Sequence, residues 1–139
     1  MIKKIIYPTI LILLLATTGC SSSDSTSSAV EDFANIFTDS ADVSLVKDGT
    51  IEACPGSTVG EMADAFMSNP SWSDFASTSG GTVVELNGEI TYDGYPATAL
   101  IQFNVSGYTF EAAYLGINGV GQNLLVLSSL LTKMCDATF

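Results

Sequence analysis

The chain has 139 residues, of which 15 are acidic, four are lysine and none is arginine or histidine, giving a formal net charge of −11. The chain therefore lacks the Lys and Arg clusters that nucleic-acid binding requires, and it has no arginine to clamp a phosphate ligand. The absence of histidine excludes Ser-His-Asp triads and histidine metal sites. Because the sequence shows no catalytic signature, we predict that the protein is not an enzyme and uses no cofactor or metal.

The first 20 residues have the pattern of a secretory signal. Two lysines precede an apolar run of about 12 residues over positions 5–16, and three small residues then lead to Cys20. The alternative, a transmembrane helix, needs about 20 apolar residues. The segment resembles the signal of bacterial lipoproteins, in which the chain is cut before a cysteine that then receives lipid such as palmitate. The resemblance implies a signal peptide over residues 1–19 and a lipid anchor on Cys20.

The polar segment that follows predicts a tether. Residues 20–28 are the cysteine and a Ser-rich run that cannot form a core. Cleavage before Cys20 would remove two lysines and no acidic residue, so the formal charge would become −13. This acidity is explained either by a solubilising coat or by attraction to a basic partner. Ser21 favours the outer membrane over the inner one if the cell has two membranes, under enteric-type sorting rules.

Residues 29–45 are predicted to be a short helix and a connector. Ser28 and Glu31 form a capping box, with apolar residues at helical spacing behind it, which predicts a helix over 29–37. Residues 43–46 and 50–51 are predicted to form a short strand, with a turn or bulge at 47–49 between them.

The region 46–139 is predicted to be a single α+β domain. A second capping box, Thr58 to Glu61, predicts a helix over 59–68 that ends at Asn69-Pro70. Alternating apolar residues then predict three antiparallel strands, separated by turns at Asp93-Gly94 and Ser106-Gly107 and ended by Asn118-Gly119. The last segment, from Leu124, has helical spacing.

The expected fold is therefore a three-stranded antiparallel meander with helices on one face, in the order α-β-β-β-α, plus the short N-terminal helix. An exposed edge of this sheet would be able to pair in a homodimer. From Val46 onward the chain resembles a group of uncharacterised small bacterial lipoprotein and secreted domains. The matching segments are Thr58-Val59-Gly60-Glu61, Asn69-Pro70 with Trp72, Ala99-Leu100-Ile101-Gln102-Phe103, and Gln122-Asn123. The resemblance implies the fold and no particular activity.

Two cysteines remain once Cys20 carries lipid. Cys54 precedes the helix at 59–68 and Cys135 lies in the last helix, so the two can meet if both helices cover one sheet face. Disulfides persist in exported compartments, and this pair would close a loop of about 80 residues, worth roughly 4 kcal/mol. The alternative is two free thiols.

Two groups of side chains are candidates for a binding surface. Glu85 and Glu89 share one strand face, where they are either a catalytic carboxylate pair or, as we favour, solvent-exposed strand residues. Trp72, Tyr95 and Tyr108 lie near turns, where aromatic rings are suited to anchor a partner. Alternatively, Trp72 covers the core, the interpretation that we favour, and the tyrosines cover sheet edges.

These features predict a membrane-anchored envelope lipoprotein that binds an envelope or secreted protein or assists an assembly. The membrane contact would be made by the lipid on Cys20. The alternative function is inhibition of a basic secreted enzyme such as lysozyme, since an acidic domain is steered towards a cationic target.

Overall fold

The structure is a computed structural model that describes residues 39–139. This part of the chain contains five antiparallel strands and three helices. The helices are α1 (Ala41–Asp48), α2 (Val59–Phe66) and α3 (Leu124–Asp136). The strands are β1 (Ser68–Ala76), β2 (Thr82–Tyr92), β3 (Tyr95–Ser106), β4 (Thr109–Ile117) and β5 (Val120–Gly121). The α+β class is confirmed, whereas the predicted three strands and α-β-β-β-α order are wrong. The predicted signal, Cys20, the tether and the 29–37 helix lie outside the described residues.

The strands β2, β3 and β4 form the predicted meander, and the sheet order is β1-β2-β3-β4-β5. The alternation of buried and more exposed side chains along β2 and β3 sets their register, with Val84 opposite Phe103 and Leu86 opposite Ile101. The turn between β2 and β3 uses Asp93 and Gly94, whose φ angles are 52° and 83°. Two successive positive φ angles suit a tight hairpin, and Asp and Gly tolerate them.

The first strand replaces the end of the predicted 59–68 helix. The helix α2 ends at Phe66, and β1 begins at Ser68. Asn69 and Pro70 form a bulge between the pairs Ser68–Glu89 and Ser71–Asn87, with Asn69 at φ 52°. Proline is tolerated because β1 is an edge strand, and a bulged edge with proline opposes pairing with a second sheet.

The first helix replaces a predicted strand. Ser40 caps α1 by accepting a hydrogen bond from the backbone N–H of Val43, and Val43 and Val46 are buried three residues apart, as in a helix. The predicted strand over residues 43–46 is therefore wrong, because these residues belong to a helix. The helix α1 thus contributes to the core, and the packed unit that includes it runs from Asp39 to Phe139.

The other two helices agree with their sequence patterns. Thr58 and Glu61 form the capping box reciprocally, with backbone-to-side-chain distances of 2.8 and 3.1 Å. Asn123 caps α3 by accepting from the N–H groups of Leu125 and Val126. Within residues 39–139, no helix is long and apolar enough to cross a bilayer.

The core lies between the helices and the inner face of the sheet, the face that carries Val84, Leu86, Ile101, Phe103 and Leu115. These side chains are completely buried together with Met62 of α2 and Met134 of α3. Cys54 and Cys135 form a disulfide, the pairing predicted from the sequence, with Cα atoms 5.6 Å apart. The end of α3 is thereby joined to the loop before α2.

Candidate binding surface on the sheet

The outer face of the sheet, on the side opposite the helices, is the candidate binding surface. None of its residues belongs to the core cluster. We define the outer face by the following cross-strand rows: Phe75, Val83, Asn104, Glu111; Ser73, Glu85, Gln102, Tyr114; Ser71, Asn87, Leu100, Gly116; and Glu89, Thr98. The face is a mixture of carboxylates, amides, aromatic rings and small residues.

The charges on the outer face are all negative. Glu85, Glu89 and Glu111 lie there, whereas the two lysines of the described region, Lys47 and Lys133, lie on helices α1 and α3. The region contains twelve acidic side chains in all. The outer face is thus complementary to a basic surface.

Neutral amides accompany two of these carboxylates. Gln102 donates from Nε2 to Oε2 of Glu85 at 2.6 Å, and Asn69 donates from Nδ2 to Oε2 of Glu89 at 3.2 Å. These bonds orient the carboxylates without neutralising them, so both remain available to a cation from a partner.

Glu85 and Glu89 are held separately on β2. Four residues along a strand separate their Cα atoms by about 13 Å. The carboxylate of Glu85 is bound by Gln102 of β3, whereas that of Glu89 is bound by Asn69 of β1, on the opposite side of the strand. The two carboxylates are therefore placed as two separate contacts.

Two aromatic rings flank the acidic middle of the outer face. Phe75 on β1 is 47% exposed and lies opposite Val83, which is buried. Tyr114 on β4 is 37% exposed, and its ring covers Gly116 and Gly121, coming within 3.2–3.3 Å of where a Cβ would stand on each. Partly exposed aromatic rings on a sheet face are suitable anchors for a partner.

The predicted aromatic residues do not form one site. Trp72 lies on the inner side of β1, partly buried against the core, with Lys47 Nζ 5.8 Å from its ring centroid. Tyr95 and Tyr108 are 74% and 94% exposed but lie at opposite ends of β3, roughly 40 Å apart along the strand. Of the five candidates, only Glu85 and Glu89 lie on the outer face.

The sequence interpretation missed Phe75, Gln102 and Tyr114. Gln102 was detectable, because it alternates with the apolar residues of the predicted second strand. Phe75 required recognition of β1 as a strand. Tyr114 is on the outer face only because a bulge shifts the register, with Phe103 opposite Ala112 and Gln102 opposite Tyr114.

Metal ligands are not gathered at this face. Within residues 39–139, no group of three or more Cys, Asp or Glu side chains is placed to hold a metal ion. Asp39 instead pairs with Lys47 at 2.7 Å.

Comparisons with known proteins find no match for this chain among protein-family models, curated proteins or solved structures. The geometry and charge of the outer face therefore carry the functional inference.

Proposed function

We propose that the chain is an exported lipoprotein whose domain binds another protein without catalysing a reaction. The lipid on Cys20 would hold it at the cell envelope, on the outer membrane if the cell has two membranes. The observation that carries the proposal is the outer face, which combines exposed aromatic rings with carboxylates and carries no lysine. The disulfide between Cys54 and Cys135 supports export, because such bonds persist in oxidising compartments.

The size of the outer face fits a protein partner. Four long strands about 4.8 Å apart, paired over about nine residues, give a face of roughly 20 by 30 Å, or about 600 Å². A typical protein–protein interface buries about 800 Å² on each side. A partner that covers this face and one of its margins would reach that area.

Site-specific cross-linking in cells tests the proposal. A photo-reactive residue at Asn104, exposed on the outer face, is compared with one at Ser128, exposed on α3. We expect Asn104 to give one discrete protein adduct that is absent from Ser128, and Glu85→Gln with Glu89→Gln to reduce its yield at least threefold. No adduct, or equal adducts at both positions, would contradict binding through this face.

The anchor is tested separately by mass spectrometry of the N-terminal peptide and by the Cys20→Ala variant. We expect the peptide to begin at a lipid-modified Cys20 and the variant to leave the membrane fraction. An unmodified cysteine in an uncleaved chain would exclude the lipoprotein proposal.

The second candidate is an inhibitor of a basic secreted enzyme such as lysozyme. The outer face carries three carboxylates, and both lysines of the described region lie elsewhere, on α1 and α3. This favours the inhibitor candidate, because such a face would attract a cationic enzyme. The full chain in detergent would be titrated into a lysozyme assay at low and physiological salt, with Glu85→Gln/Glu89→Gln as control. Inhibition that weakens with salt and in the variant is expected, and no inhibition at any salt concentration would eliminate this candidate.

A further inference from the structure

A groove of about 320 Å³ lies between the end of the β2–β3 hairpin and helices α2 and α3. Its apolar lining includes Phe66 of α2, Ile90 of β2 and Leu130 of α3. It is separate from the middle of the outer face, and the proposed function above does not use it.

The groove is built on the core. Ile90 and Leu130 are only 6% exposed, so these walls are held by interior packing. The cap at Asn123 and the disulfide at Cys135 fix the two ends of α3. A preformed groove costs a partner little ordering free energy. Its volume is at the lower end of the range of about 300–1,000 Å³ for ligand pockets, which suits one or two bulky side chains.

The charges beside the groove favour a cationic partner. Asp93 and Lys133 both line it, and Glu89 lines an adjoining recess together with Phe66 and Ile90. The groove and its adjoining recess thus carry two carboxylates, Asp93 and Glu89, and one ammonium group, Lys133. The described region as a whole has twelve acidic side chains and two lysines. A basic segment would be attracted here, whereas a purely anionic ligand would meet only Lys133 as a counterion.

We propose that this groove binds a bulky apolar side chain from a basic segment of the partner protein, with Asp93 and Glu89 facing Lys or Arg of that segment. The inference rests on the proposed protein-binding function and adds a second contact to it. Glu89 belongs to both the outer face and the adjoining recess, so one partner can engage the two surfaces together.

Labelled peptides of defined charge test the groove directly. The full chain in nanodiscs of zwitterionic lipid is titrated with the amidated peptides KKWKK, KKAKK and EEWEE, with empty nanodiscs as the blank. We expect saturable binding of KKWKK, at least tenfold weaker binding of KKAKK and no binding of EEWEE. Equal binding of KKWKK and KKAKK would mean that charge alone acts, and would overturn the assignment of the groove.

Two matched variants locate the contact. Ser129 is exposed and lines the groove, whereas Ser128 is exposed on a different side of α3. Ser129→Phe should fill the groove and weaken KKWKK at least tenfold, while Ser128→Phe should leave its affinity unchanged. Both variants should retain the wild-type far-UV circular dichroism. Equal effects of the two variants would overturn the proposal.

The sign of the ligand charge is tested by Asp93→Asn and Lys133→Gln. Asparagine tolerates the positive φ of the turn, so Asp93→Asn removes the charge and keeps the hairpin. We expect Asp93→Asn to weaken KKWKK about threefold and Lys133→Gln to strengthen it about twofold. Preferred binding of EEWEE that is lost in Lys133→Gln would identify an anionic ligand and overturn the proposal. Absence of peptide binding alongside an adduct from Asn104 would reject the groove and leave the protein-binding function intact.

Discussion

On the inner face of the sheet, Leu86 and Phe103 are completely buried under the helices, whereas Glu85 and Gln102, their neighbours in the chain, are hydrogen-bonded to each other on the outer face. The same two strands therefore pack the core on one side and carry polar side chains on the other. The difference follows from the two-residue period of a strand, which sends successive side chains to opposite faces. A substitution should affect folding or binding according to the parity of its position.

The largest effect is expected from Phe103→Ala on the inner face. Phe103 is fully buried and packs edge-on against Phe110, with ring centroids 6.0 Å apart. Loss of the ring should lower the free energy of unfolding by about 3–5 kcal/mol. The matched control is Asn104→Ala, one residue along and exposed, which should change it by less than about 0.5 kcal/mol. Urea denaturation of both variants measures the contrast, and similar values would break the comparison.

Removal of the disulfide should have the next largest effect. The bond joins residues 81 apart, so Cys54→Ser/Cys135→Ser releases a long loop in the unfolded chain. We expect a loss of about 2–5 kcal/mol in urea denaturation. Reduction of the wild-type chain should give a similar loss, and the variant should not respond to the reductant. A variant as stable as the oxidised wild type would contradict a stabilising role.

Two glycines covered by side chains offer a finer comparison of the faces. A Cβ on Gly88 of the inner face would lie 2.7 Å from Met67 Sδ and 2.8 Å from Met67 Cβ. Met67 is buried, so Gly88→Ala should cost about 1–3 kcal/mol of unfolding free energy.

On the outer face, a Cβ on Gly116 would lie 3.2 Å from the hydroxyl oxygen of Tyr114, whose partly exposed ring has room to move. Gly116→Ala should therefore cost less than about 1 kcal/mol. Thermal denaturation of the two variants should give a clearly larger loss for Gly88→Ala, and the reverse order would show that the outer face is the more rigidly packed.

The smallest effect on stability is expected from Glu85→Gln. The side chain is only partly buried and bonds to a neutral amide, so the free energy of unfolding should change by about 1 kcal/mol or less. Binding of the protein partner should nevertheless weaken, because a charge aimed at a basic surface is lost. Binding measured on the cross-linked partner, once identified, would show this; unchanged affinity would remove Glu85 from the interface.

Sequence patterns predicted the elements that have strong local signals. The capping box of α2, the spacing of α3 and the alternation with the Asp93-Gly94 turn in β2 and β3 all follow from short-range chemistry. The helix α1 was missed because it is short and its apolar residues are few. Recognition of β1 required tertiary pairing, since its only large apolar residues, Trp72 and Phe75, point to different faces.

The candidate surface was predictable in part, for the same reason. Glu85 and Glu89 follow from alternation within one strand. Tyr114 does not, because simple alternation groups it with Phe110 and Ala112 on the inner face. A bulge at Ala113 moves it to the outer face, and this bulge depends on pairing with β3.

The position of the disulfide divides the domain mechanically. The covalent loop from Cys54 to Cys135 contains α2 and all five strands, whereas α1 lies before it. A pulling force applied at the N-terminal side would therefore load α1 first, which is held by the burial of Val43 and Val46 and the bond from Ser40 to Asp74. Tension can detach α1 while the disulfide prevents the chain between Cys54 and Cys135 from being stretched. The sheet would stay folded while the first helix detaches under load.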